Sequence, residues 1–378
     1  MAQRGARLEY FVASVFQGQG YWVRRGVPLK YGISGQDATD IDVLGIRFTQ
    51  PFQPHLIICD CKDKQRSKPY ERIFWAKGLA HFVNASETYV ALPKASLDVI
   101  TFAKTGQVRI LTQEILESSY LQLYNVDNRP YGIANSGFFE PFEQQISRLL
   151  KNNRAANEVL VEIKSLFLVK DPYVALNLAM DRLMICIEEM KKTEGKDSFA
   201  LWRYIAAEII VLVSLLLLYI ASDSMGLSKT EREKHIISKL TYGEMSQQKA
   251  EGIFRSFKDL TYETIRSIAP DVSQESLQPF DIGKIEPPHY APDIVGLVER
   301  AILSPTIYHE LPQVIDFLLF EQSLQDRGFV KEQYQRVFST PNQDERLKVA
   351  RNIFSFLRDT LGLNLGAFWP RQEGNLPK

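Results

Sequence analysis

Thr39-Asp40-Ile41-Asp42-Val43-Leu44-Gly45 and His55-Leu56-Ile57-Ile58-Cys59-Asp60-Cys61-Lys62 are two short apolar runs that carry charge in a regular pattern. Side chains of a β-strand alternate between its faces with period two. Asp60 and Lys62 therefore share one face and Cys59 and Cys61 the other, while Asp40 and Asp42 lie opposite Ile41 and Val43. Leu56 to Ile58 and Val43 to Ile46 make both runs apolar on each side, which is the pattern of central strands covered from above and below. If the strands are neighbours with Asp42 beside Asp60, two carboxylates and an ammonium meet at one edge of an otherwise apolar sheet. Such an arrangement is costly unless something compensates it.

The flanking sequence supplies the rest of an α/β unit. Leu8, Phe11, Val12, Val15 and Phe16 form one apolar stripe at helical spacing over residues 4 to 17, and Gly18 and Gly20 stop that helix. Tyr21 to Tyr31, rich in aromatic and branched residues, reads as a strand that ends at Gly32, Gly35 and the polar Gln36 to Thr39. Strands at Asp40 to Phe48 and Leu56 to Lys62 follow, separated by a Pro-containing loop. A helix from about Tyr70 to Val83, a strand Thr88 to Leu92, a short helix near Ser96 to Lys104 and a strand Val108 to Thr112 complete the series. This order predicts a small mixed sheet with helices against its faces.

From about Phe138 the chain is almost wholly helical in pattern, with periodic segments near 141 to 168, 173 to 194, 199 to 222, 229 to 258, 292 to 304, 308 to 326 and 343 to 361. The expected fold is thus an α/β N-terminal domain followed by a mostly α-helical region. The expected divisions are 1–120, 121–280 and 281–378, the last after the proline-rich Asp281 to Pro292, where Pro287, Pro288 and Pro292 cannot lie in a helix interior. Tyr204 to Ala221 is 18 residues with one charge, Glu208. A bilayer-spanning helix needs about 20 apolar residues, and Glu208 would be expensive in one. The segment reads first as a central buried bundle helix, with membrane insertion as the competing reading.

The chain has 378 residues, of which 45% are apolar and 24% charged, a globular composition rather than a disordered or fibrous one. Its 45 Lys+Arg balance 45 Asp+Glu, which argues against a polybasic binder. The balance is uneven along the chain: residues 1–120 hold 15 Lys+Arg and 11 Asp+Glu. A polyanion would bind the basic part. Three cysteines make no disulfide framework and no zinc-ribbon spacing. The first residues hold no apolar signal-peptide core, so the expected location is the cytoplasm.

No Walker loop, dinucleotide fingerprint, HExxH or GxSxG is present, so the two central strands carry what chemistry the sequence offers. Two close carboxylates suit a hard divalent cation. Mg²⁺ takes oxygen ligands, keeps several waters, and needs only one or two carboxylates plus a substrate phosphate. Asp42 and, 17 residues between, Asp60-x-Lys62 on a hairpin after an amphipathic helix resemble the PD-(D/E)xK nuclease superfamily, the restriction-endonuclease-like fold. The resemblance covers residues 1 to about 120. It implies that Asp42, Asp60 and Glu9 hold the metal, Mg²⁺ with Mn²⁺ able to substitute, and that Lys62 acts beside them as a catalytic residue. Ile41 stands where the literal motif has Pro, and Asp60 where Glu is commoner. The implied activity is endonucleolytic cleavage of nucleic acid, DNA favoured, and the resemblance points toward bacterial genome defence or mobile elements.

Lys64, Arg66, Lys68 and Lys77, with Arg72 and His81 nearby, are expected to contact the nucleic-acid backbone or to support the site. Tyr70, Phe74, Trp75 and Phe82 read as core residues, and Cys59 and Cys61 as small packing residues on the face away from Asp60. The C-terminal helices are expected to bind a protein partner or a second copy. Two further readings stand beside the nuclease: a non-catalytic nucleic-acid- or protein-binding module on the same fold, and a membrane-anchored effector resting on Tyr204 to Ala221.

Overall fold

The computed structural model describes residues 4–31, 36–63, 68–125, 128–168, 170–193, 195–269, 285–339 and 341–369. Helix α1 (Arg4–Gly18) buries Leu8, Val12, Val15 and Phe16 against Val43, Ile57 and Cys59, so its apolar stripe meets one face of the sheet. Strands β1 (Trp22–Tyr31), β2 (Gln36–Thr49) and β3 (Gln53–Cys61) form an antiparallel meander. Then come α2 (Pro69–Val83), β4 (Glu87–Leu92), α3 (Leu97–Thr105) and β5 (Val108–Thr112), with β3, β4 and β5 parallel. The sheet order is β1-β2-β3-β4-β5, so β3 is where the sheet changes from antiparallel to parallel.

The element order matches the sequence reading, and the differences lie at the ends. The β2–β3 ladder runs down to Thr49 opposite Gln53, so the connection is shorter than its two prolines suggest. Pro54 is accommodated close to the start of its strand. At the other end β3 stops at Cys61, leaving Lys62 just beyond it. Helix α4 (Gln113–Leu123), not foreseen, begins directly after β5 and packs on α1. Its stripe of Leu116, Tyr120 and Leu123 is helical in spacing but brief, between polar residues.

The rest is helical: α5 (Ser136–Lys151), α6 (Arg154–Ser165), α7 (Pro172–Lys192), α8 (Lys196–Ser224), α9 (Lys229–Tyr242) and α10 (Gln247–Ile268). Beyond residue 284 follow α11 (Ala291–Leu303), α12 (Pro305–Tyr308), α13 (Leu311–Asp316) running into a π-helical stretch Phe317–Ser323, α14 (Lys331–Val337) and α15 (Gln343–Leu361). The periodic segments expected over 141 to 168 and 229 to 258 are each divided into two helices. Gly243 has φ +61°, a left-handed conformation that ends α9, and the Ser246 hydroxyl caps α10. Pro292 falls in the first turn of α11, where its missing N–H costs nothing.

Helix α8 is long and apolar enough to cross a membrane, and 89% of its most apolar window is enclosed by the fold. It packs against α6, α7, α11 and α13. Its one interior charge, Glu208, accepts a hydrogen bond from Arg24 Nε at 2.7 Å, and Arg24 also pairs with Asp316 at 2.6 Å. A continuous apolar core joins Trp22, Leu44, Ile46, Phe48 and Ile58 of the sheet to α8, α11 and α15. The rings of Phe48 and Tyr219 meet edge-on at 5.0 Å within it. Helices α2 and α3 instead cover β4 and β5 through Ile73, Ala76, Val99 and Ala103.

The four aromatics of α2 are not core. Tyr70, Phe74, Trp75 and Phe82 are exposed, because Ile73, Ala76, Leu79 and Ala80 turn to the sheet instead. Helical spacing allowed either choice, since α2 is apolar around most of its circumference.

Candidate functional site

The last ladder pair between β2 and β3 toward the top of the sheet is Val43–Cys59. Continuing that register sets Asp42 opposite Asp60, but the strands part there. Cys61 stays paired with Ala91 of β4, and Lys62 N–H reaches the Ala91 carbonyl at 3.0 Å. β2 stays with β1, where Gly26, with φ +57°, lies between the pairs Arg25–Val43 and Val27–Ile41. The parting leaves the Cys61 amide without a ladder carbonyl. Asp42 Oδ2 takes its place, accepting from Cys61 N–H at 2.7 Å.

One ammonium joins the two carboxylates. Lys62 Nζ lies 3.1 Å from Asp42 Oδ2 and 3.2 Å from Asp60 Oδ1. Burial works against the Lys62 charge, but Asp60 and Asp42 outweigh it and raise the Lys62 pKa. Burial likewise raises the pKa of Asp42, opposed by the Cys61 amide and Lys62 and reinforced by the charge of Asp60. Glu9, half-buried on α1, comes close enough to feel Asp42 and Lys62. Loss of hydration raises its pKa to about 7, against the pull of Arg25. The structure gathers Asp42, Asp60 and Lys62 at one end of the sheet, and Glu9, the fourth residue chosen from the sequence, lies within reach of their charge without touching them. Cys59 and Cys61 are free, buried and packed beneath α1, as the period-two alternation required.

Arg72, one of the cations expected to contact phosphate or support the site, is bound to Asp60. Its guanidinium holds Asp60 with two parallel contacts, Nε to Oδ2 at 2.7 Å and Nη2 to Oδ1, and lies 4.5 Å over the Trp75 ring. Arg72 is in the first turn of α2, 12 residues beyond Asp60, and only the crossover from β3 into α2 brings it back. Trp75 lines a small recess with Asp42, Asp60 and Leu79. Arg25 and Glu143 form a second pair beside Glu9, 2.6 Å apart, with Arg25 lying 3.4 Å over the Tyr10 ring.

Among the predicted nucleic-acid contacts, Lys68 is exposed and pairs with Glu71 at 2.7 Å, and Lys77 is exposed and donates to Gln107 at 3.0 Å. Lys64 and Arg66 lie outside the described residues.

Among the described residues, no group of three His, Cys, Asp or Glu side chains gathers as a metal cage. The donor set still suits a hard cation. Both candidate ligands are carboxylates, Asp42 Oδ1 accepts no hydrogen bond among the described residues, and Mg²⁺ asks for only one or two protein carboxylates. Asp60 is the constrained member, since a cation there has to displace Arg72 or Lys62. Comparison with family models, with curated proteins and with solved structures finds no match to this chain.

Proposed function

We propose that this protein is a divalent-cation-dependent nuclease that hydrolyses phosphodiester bonds, DNA favoured, resembling the PD-(D/E)xK enzymes. The observation that carries the reading is the meeting of Asp42 and Asp60 where β2 and β3 part, with a single lysine ammonium touching both. A bound Mg²⁺ or Mn²⁺ would lower the pKa of a coordinated water and neutralise phosphate charge. Asp42 and Asp60 would hold it, and Glu9, whose charge is felt at Asp42, would lie beyond them rather than in a shared cage. Lys62, between the two carboxylates, would steady negative charge growing on a phosphate oxygen. The helical region would carry the partner or self-association surface, in a genome-defence or mobile-element setting.

The test is cleavage of DNA and RNA by the purified full chain with Mg²⁺ or Mn²⁺. Asp60→Ala and Lys62→Ala are each expected to lower the rate by about 10²-fold or more, the usual loss when a group stabilising developing charge is removed. Variants that cut as fast as wild type would refute the site assignment. The second reading, a binding module without chemistry, draws on the bidentate Arg72–Asp60 pair, which satisfies Asp60 without metal. Calorimetry with Mn²⁺ separates the two: uptake that depends on Asp42 and Asp60 belongs to the nuclease.

A further inference from the structure

We infer that the outer face of α2 is a stacking track for an unpaired polynucleotide strand, which it leads toward Asp42 and Asp60; the inference rests on the nuclease reading above. One exposed ridge of the helix runs Tyr70, Phe74, Lys77, His81 and the next Glu71, Trp75, Gly78, Phe82, each stepping by about one turn. Phe74 is 68% and Phe82 73% exposed, so most of each ring is open to solvent. Phe102 of α3 widens the surface, meeting the Tyr70 and Phe74 rings edge-on at 5.0 and 5.4 Å. Trp75 ties the track to the chemistry, because it lies beside both aspartates, at a crevice too narrow to hold a water.

Two observations identify the occupant. The aromatic face carries an excess of cations: with Lys68 paired to Glu71 and Arg72 to Asp60, Lys77, Lys94 and Lys104 remain against Asp98 on and beside α2 and α3. A second copy docked face to face about a two-fold axis would bring like charges together, whereas a phosphate backbone is attracted. Gly78 is the other. A glycine inside an exposed helix destabilises it relative to alanine, and here a Cβ would touch nothing within 4 Å, so packing does not call for it. Its absence leaves a gap in the ridge between Trp75 and Phe82 in which a flat base can approach the helix. Bases stack on aromatic side chains only when unpaired, since duplex bases present their edges and their phosphates rather than their faces.

The experiment uses the full chain in EDTA, so that nothing is cut, and fluorescence anisotropy with a labelled oligothymidylate and with a labelled duplex of equal length. Wild type is expected to bind the single strand at least about 10-fold more tightly than the duplex. Phe74→Ala and Phe82→Ala are each expected to weaken single-strand binding by about 5- to 150-fold, the usual range for one lost stacking platform. Gly78→Leu, which fills the gap, should weaken it as well while keeping the wild-type melting temperature or raising it. Equal affinity for duplex, or unchanged binding by these variants, would overturn the track. So would light scattering that shows a dimer which Phe74→Ala or Phe82→Ala dissociates, because the face would then be a self-interface. Wild type that binds strands through α2 yet cleaves nothing with Mg²⁺ or Mn²⁺ would leave the track standing and remove the nuclease reading. Cleavage by wild type with unchanged binding in the α2 variants would do the reverse.

Discussion

Glu9 shows at the scale of one residue how the fold sets chemistry. Its pKa is raised from 4.5 to about 7, first by loss of hydration and then by Asp42 and Glu143, with Arg25 opposing. A raised acid keeps its proton in the folded chain at pH values where the unfolded chain has lost it. The stability attached to it is therefore complete below about pH 4.5 and is lost as the pH rises through about 7. Glu9→Gln removes that loss. In EDTA the variant should match wild type at acid pH and exceed it at pH ~8 by about 1–2 kcal/mol, a figure reduced for the solvent that still reaches the side chain. Thermal unfolding at the two pH values measures this, and an equal difference at both would mean that Glu9 is not desolvated. The alternation of charge along β3 placed Asp60 and Lys62 together in the sequence alone. Arg72 was not legible as their partner, because its approach depends on the path of the β3–α2 crossover, which no local pattern records.

At the scale of elements, α2 and α8 show where composition misleads and where it serves. Both are rich in apolar residues, and helical periodicity says only which residues share a side, not which side meets the core. The sheet resolves it. β4 and β5 accept the small and branched Ile73, Ala76 and Val99, and the large aromatics of α2 are left outside. Gly78→Ala tests the exposed side of α2 directly. With a free Cβ position and an ordinary helical backbone, it should stabilise the protein by about 0.4–1 kcal/mol, read as a shift in urea midpoint at constant m-value. In α8 the one fully buried charge, Glu208, is answered from the sheet: Arg24 is sandwiched between the Trp22 and Phe320 rings, at 4.5 and 4.7 Å, and bound to Glu208 and Asp316. Removing one partner of a buried ion group strands the others. Arg24→Ala is thus expected to cost about 3–5 kcal/mol in the same urea titration, and a loss under about 1 kcal/mol would show the group to be hydrated.

Over the whole molecule, the helical part is built onto the sheet. Trp22, Leu44, Phe48 and Ile58 belong to the same apolar core as α8, α11 and α15, and Gln313 of α13 donates to the Gly20 carbonyl at 3.0 Å. Residues 1–123 produced alone would expose that face of the sheet. They are expected to bind a hydrophobic dye and to unfold without a sharp transition, while the full chain unfolds in one cooperative step that includes β1. Calorimetry of both chains, with hydrogen exchange on β1, checks this; a sharp transition in the short chain would show that the sheet supports itself. Helix α10 leaves Ile253, Phe257 and Leu260 exposed, so its apolar stripe is not used by the described part of the fold.

The sequence by itself determined the α/β order of the first part, the helical character of the rest, and the sharing of one strand face by Asp60 and Lys62. These follow from short-range periodicity, which the backbone geometry of strands and helices enforces wherever the segment lies. The parting of β2 from β3, the docking of Asp42 onto the Cys61 amide, the closing of Arg72 on Asp60 and the outward turn of the α2 aromatics were decided only in the tertiary structure. Each depends on which surfaces compete for the same sheet face, and that competition is settled by volume, burial and charge between residues distant in the chain.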